Sequence, residues 1–132
     1  MERLFVDTGA WFALVNRADP DHEAVAELLD SFRGRLITTS YVFDETVTLC
    51  LARLGHEVAA LTGQTLLDPD VVDLFRVSAS DEQAAWELFL ARPDKTYSFT
   101  DCTSFILMRR FDIPRAAAVD AHFRQAGFET VP

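Results

Sequence analysis

Short apolar runs alternate along the chain with stretches in which apolar residues return every three or four positions. This alternation predicts an α/β fold with a mainly parallel sheet. Leu4-Phe5-Val6 contains no polar residue, as expected of a central strand covered on both faces. It runs into a turn at Asp7-Thr8-Gly9, and a short buried helix is expected over Ala10–Val15. Asp19-Pro20 predicts a helix start, with a capping carboxylate and then proline at the first helical position. Ala24, Val25, Leu28, Leu29 and Phe32 would share one face of that helix, and Gly34 ends the pattern. Leu36-Ile37 is expected to form a second strand.

Thr39 or Ser40 can cap the next helix, whose apolar stripe is Phe43, Val47, Cys50, Leu51 and Leu54, closed by Gly55. A further helix is expected from about His56 to Leu67, and a third strand over Val71–Val77. Ser80 with Gln83 reads as a capping box, with Ala84, Ala85, Leu88 and Phe89 facing inward behind it. After the loop Arg92–Lys95, Thr100 can cap a helix over Asp101–Arg110, with Arg109 and Arg110 at its negative end. Arg115–Val119 is ambiguous: Ala116-Ala117-Ala118 favours helix by propensity, whereas the bordering Pro114 and Asp120 suit a strand. Phe128–Val131, after Gly127, would be a last edge strand.

With 132 residues, 49% of them apolar, and no repeat or linker, one domain over 1–132 is expected. No apolar run approaches the roughly 20 residues of a membrane span, and the start of the chain lacks the character of a signal peptide, so a cytoplasmic protein is expected. Cys50 and Cys102 are far apart and belong to no C-x-x-C pair, which favours free buried thiols over zinc. A net charge of −9 excludes a broad basic surface for holding nucleic acid. Any such chemistry here must bring its own cations.

The acids that stand out occupy positions where a solvated charge is unexpected. Asp7 directly follows an apolar strand, at the edge of a parallel sheet where ligands bind. Asp120 stands in the same relation to Arg115–Val119, if that segment is a strand. Asp101 opens an almost wholly apolar helix, and Glu45 lies beside the Phe43/Val47 stripe. Each has an ordinary alternative: turn closure for Asp7, helix-dipole compensation for Asp101, plain exposure for Glu45, a helix cap for Asp120. If they gather, carboxylates without Lys or Arg partners must take up protons or a cation. Hard oxygen ligands suit Mg²⁺ or Mn²⁺, and such ions serve phosphodiester hydrolysis.

The run Leu4-Phe5-Val6-Asp7-Thr8-Gly9-Ala10 resembles the opening of PIN-domain proteins. Thr39–Glu45, Tyr97–Cys102 and Val119–Phe123 resemble three further motifs of that family, in the same order. The similarity spans nearly the whole chain and is strongest to the VapC-like toxins of toxin–antitoxin pairs. The resemblance implies a three-layer α/β/α sandwich on a mainly parallel sheet of about five strands, with Arg115–Val119 as a strand. It further implies Mg²⁺- or Mn²⁺-dependent endoribonuclease activity with one or two ions, a homodimer, and a small VapB-like antitoxin. It casts Asp7, Glu45, Asp101 and Asp120 as the metal-binding and catalytic acids, although Val119 and Ala121 flank Asp120 where members often carry a small hydroxyl residue.

Thr8, Ser98 and Thr100 could orient water or phosphate, and Lys95 is the foremost basic candidate for phosphate, ahead of Arg109, Arg110, Arg115 and Arg124. His22 and His122 read as exposed or locally bonded. Trp11, Phe12, Trp86 and Phe89 could line a groove for a partner helix or serve packing. Two other classes compete. A non-catalytic PIN fold would act by binding alone. A receiver-type signalling module would need paired acids after the first strand, where Asp7 stands by itself, and an Asp after the third, where Ser78-Ala79-Ser80 follows.

Overall fold

The computed structural model describes residues 1–132. Its elements follow in the order β1 (Arg3–Val6), α1 (Thr8–Val15), α2 (His22–Ser31), β2 (Arg35–Thr39), α3 (Ser40–Leu54) and α4 (His56–Leu66), then β3 (Val72–Phe75), α5 (Ala79–Ala91), α6 (Phe99–Arg110), β4 (Arg115–Ala117), α7 (His122–Gln125) and β5 (Glu129–Val131). The five strands form one sheet in the order β3-β2-β1-β4-β5, and every pairing is parallel. The sheet is therefore wholly rather than mainly parallel. Leu4, Phe5 and Val6 are successive residues and all fully buried. Since neighbouring strand side chains point to opposite faces, both faces of the central strand are covered, which makes the three-layer sandwich.

Parallel neighbours need crossovers, and the helices supply them around a core that includes Trp11, Ile37, Phe105, Met108 and Phe123. β1 and β2 run in the register Arg3↔Arg35. Gly34, just before β2, makes this possible: a Cβ there would lie 2.1 Å from the Glu2 carbonyl oxygen, and that same oxygen accepts from the Arg35 amide at 2.8 Å.

Several boundaries differ from the expectation, and hydrogen bonds account for those at the starts of α1, α2 and α5. α1 starts at Thr8, because the Asp7 carbonyl accepts from both Ala10 and Trp11. Asp19-Pro20 does not open α2; Asp19 Oδ1 accepts from the Asp21 amide at 2.8 Å, a turn that delays the helix to His22. β3 ends at Phe75, so α5 begins early, and its capping box is Ser78 with Asp81 rather than Ser80 with Gln83. β4 ends at Ala117 and β5 begins at Glu129. Ala24, Leu51 and Phe89 were expected to face inward and are exposed. Trp11 is core, its indole N–H donating to Thr38 Oγ1. Both cysteines are free and buried, and burial pushes the Cys102 thiol up to about 11.

Candidate active site

From β1 the sheet extends to β2 and β3 on one side and to β4 and β5 on the other. A crevice for ligands opens at such a switch point, outside the carboxyl ends of the strands. Asp7 follows the last residue of β1, and its amide still donates to Ala117 of β4 at 3.0 Å. Asp120 lies just beyond the end of β4. Glu45 sits in the second turn of α3, which leaves directly from the end of β2, and Asp101 is the third residue of α6.

Asp7 occupies a helix N-cap yet makes no capping bond with its side chain. It is 5% exposed, and its Oδ1 is buried without any hydrogen-bond partner. Loss of water drives its carboxyl well above the ordinary carboxylate range; the negative charge of Asp101 adds to this, the Thr8 amide opposes it, and Asp120 and Glu45 raise it further by smaller amounts. Four acids from distant parts of the chain thus act on one another at the end of β1. The hydroxyl of Thr8 is also buried without a partner. Two orphaned oxygens beside an all-carboxylate donor set fit a hard divalent cation. As they stand, no three acidic, histidine or cysteine side chains are closed into a ready-made cage.

Asp101 is fixed more firmly than the sequence suggests. Its Oδ2 accepts from the Ser98 amide at 3.0 Å and from His122 Nδ1 at 2.8 Å, while its own amide donates to Ser98 Oγ at 2.9 Å. The cap of α6 is therefore Ser98, not Thr100, and the helix begins at Phe99. Both side-chain bonds fall on Oδ2, so Oδ1 remains available. His122 also donates its amide to Asp120 Oδ1 at 2.9 Å and holds Thr96 Oγ1 at Nε2, 3.1 Å away. A carboxylate accepting at Nδ1 requires the proton there, and in the neutral imidazole Nε2 then accepts from Thr96 Oγ1. This role for His122 went unread; its spacing of two from Asp120 was the available signal. His22, by contrast, only ties its Nδ1 to the Ala13 carbonyl oxygen at 2.7 Å.

Among the basic candidates, Arg110 pairs with Asp81, Arg115 with Glu2, and Arg109 donates to the Ala126 carbonyl. Those three are occupied away from the acids. Arg124 lines a concavity of about 410 Å³ together with Asp120, and Lys95 forms no ion pair. A concavity of about 510 Å³ between Met108, Pro114 and Phe128, beside the segments that lead into β4 and β5, contains none of the four acids.

A wholly parallel sheet with carboxylates gathered at its switch point defines a class, and the family model described as PIN domain matches residues 4–129. The chain belongs to the PIN-domain family. It is 38% identical over 128 residues to the 23S rRNA-specific endonuclease VapC20 of Mycobacterium tuberculosis, covering 97% of each chain. Ribonuclease VapC26 of the same organism is 28% identical over 108 residues, covering 82% of this chain and 79% of that one. The crystal structure of Mycobacterium tuberculosis VapC20, described as a Sarcin-Ricin loop cleaving toxin, superposes with a TM-score of 0.93 over 98% of this chain and 99% of that one, at 38% identity. FitAcB from Neisseria gonorrhoeae shares the fold at 12% identity, with a TM-score of 0.73 over 98% of this chain and 96% of that one. The chain is a VapC homologue, and the receiver-type reading is set aside. No helix is long and apolar enough to cross a membrane.

Proposed function

We propose that this chain is a Mg²⁺- or Mn²⁺-dependent endoribonuclease, the toxin of a toxin–antitoxin pair, and that it works as a homodimer held in check by a small VapB-like protein in the cytoplasm. The reading rests on one observation: the Asp7 carboxyl is buried, its Oδ1 has no hydrogen-bond partner, and it faces the charges of three other acids. A divalent ion would satisfy that carboxylate, and it supplies positive charge for a phosphate and acidifies water.

Asp7, Asp101 and Asp120 would hold one or two such ions. Glu45, half-buried on α3, is either a further ligand or the base that orients the attacking water and accepts its proton. Thr8 offers its unpartnered hydroxyl to water or phosphate, and Thr100 lies one residue from Asp101. Ser98 acts by holding Asp101 rather than by touching substrate. Lys95 would meet a phosphate, softening the conflict between a polyanionic substrate and a net charge of −9. Since VapC20 is named as acting on 23S rRNA, ribosomal RNA is the substrate to try first. In a cleavage assay with Mg²⁺ or Mn²⁺, Asp7→Asn should lose at least about 100-fold in rate; full activity in that variant overturns the assignment.

A further inference from the structure

Between the end of α5 and the turn that follows it lies a concavity of about 290 Å³ lined by Phe89, Leu90, Arg92, Pro93, Lys95 and Tyr97. The turn is set by the Lys95 amide donating to the Arg92 carbonyl oxygen at 3.1 Å. Two of the six lining residues are cations, in a chain with 21 acidic against 12 basic residues, and Lys95 is its single lysine. Arg92 is paired with Asp94 at 3.0 Å, whereas Lys95 has no such partner.

Tyr97 joins this concavity to the acids. Its ring stands edge-on to Phe105 and to His122, with centroids 5.0 and 5.7 Å away. Tyr97 is 6% exposed, and its hydroxyl is buried without a hydrogen-bond partner. Thr96, between Lys95 and Tyr97, bonds the imidazole that holds Asp101. The outer wall is aromatic too: Phe89 is 40% exposed and stacks on Trp86, centroids 5.6 Å apart with an 11° interplanar angle.

We propose that this pocket is a nucleobase subsite, which receives one unpaired base of the RNA next to the scissile phosphate. The proposal rests on the endoribonuclease reading above and deepens it. An exposed aromatic face is what an unstacked base rests on, and a lone polar group in the wall reads its edge. A free lysine at the rim answers the backbone phosphate. The volume lies below the roughly 300–1,000 Å³ of pockets for drug-sized ligands, which suits a single ring system better than a helix of a partner protein.

The test is single-turnover cleavage of a synthetic RNA stem-loop by the full chain with Mg²⁺, with one abasic nucleotide moved stepwise along the loop. For the unmodified protein, one position beside the cut should cost about 10- to 100-fold in kcat/KM, the range of one stacked base. In Phe89→Ala and Tyr97→Phe that penalty should shrink to less than about 3-fold, with KM on intact RNA raised. Lys95→Ala, in the half-buried turn after α5, should raise KM and flatten its salt dependence. An abasic penalty of undiminished size in Phe89→Ala and Tyr97→Phe, or no sensitive position at all, overturns the subsite. So does an outcome in which the three variants leave KM alone but change the mass of the assembly in solution, which would make the pocket a protein interface. Absence of cleavage by the unmodified protein counts against the endoribonuclease reading instead.

Discussion

His122 and Asp101 are joined by a 2.8 Å hydrogen bond from Nδ1 to Oδ2, and the His122 amide reaches Asp120 Oδ1 at 2.9 Å. One residue of the short α7 therefore aims two of the four acids. The imidazole is itself pinned by Thr96 at Nε2. Carboxylates that bind metals depend on partners of this kind to hold their orientation, and losing one costs about 10- to 100-fold in affinity or activity. His122→Ala should weaken Mn²⁺ binding by that amount in calorimetry, while His122→Asn, which can still donate to Asp101, should recover part of it. Equal binding by His122→Ala and the unmodified chain would reduce His122 to a packing residue.

Asp7 should behave as a site of stored repulsion. Its folded-state carboxyl titrates well above the ordinary value because it is dry and faces Asp101, Asp120 and Glu45. A carboxyl raised on folding binds its proton more tightly in the native state, so its contribution to stability is complete below about pH 4 and is lost as pH rises through the higher folded value. Asp7→Asn should then raise the metal-free melting temperature near pH 7, by roughly 3–6 °C if about 1 kcal/mol is recovered. The gain should vanish toward pH 4. Saturating Mg²⁺ should stabilise the unmodified chain more than the variant. A melting temperature that falls at pH 7 would mean the carboxylate is doing structural duty.

Asp7 and Asp101 stood out because each adjoins an apolar run, whereas Asp120 and Glu45 drew their weight from the family resemblance. Asp7 after Leu4-Phe5-Val6 and Asp101 ahead of the apolar run Phe105–Met108 needed no tertiary information. Their convergence did need it, since it depends on β4 lying beside β1. Ala116 and Ala117 give no local reason to be a strand; the sheet imposes it from the flank of β1, and only the family resemblance anticipated this. Caps were misplaced by two residues at both α5 and α6. Ser78 and Ser80, like Ser98 and Thr100, are all competent caps, and the choice falls on the serine with an aspartate three residues on, Asp81 or Asp101, able to return the bond. His122 was passed over because its contacts are 21 and 26 residues away in sequence.

Asp101 should respond differently from Asp7 although both lie in one acidic pocket. Its Oδ2 closes the capping box of α6 and accepts a hydrogen bond from His122 Nδ1. Removing its charge relieves repulsion but weakens two bonds to a charged acceptor. Asp101→Asn should therefore abolish cleavage without the stability gain of Asp7→Asn, its melting temperature unchanged or lowered by up to about 1 kcal/mol equivalent. Ser98→Ala should cost about 1 kcal/mol through the same box, and Thr100→Ala almost nothing. A stabilised Asp101→Asn would show that repulsion outweighs the cap.

Gly34 tests whether the sheet register, and with it the site, depends on one close approach. An alanine methyl at this position would sit 2.1 Å from the Glu2 carbonyl oxygen, which is backbone and cannot swing aside. The same oxygen is engaged by the Arg35 amide at 2.8 Å, so relief by separating the strands sacrifices the first bond between β1 and β2. Gly34→Ala should destabilise by roughly 2–4 kcal/mol in chemical denaturation, near the upper end for single substitutions. Because β1 carries Asp7 at its far end, the surviving folded fraction should also bind Mn²⁺ more weakly. An undiminished midpoint would mean that the Gly34 backbone can relax away from Glu2 without disturbing β1.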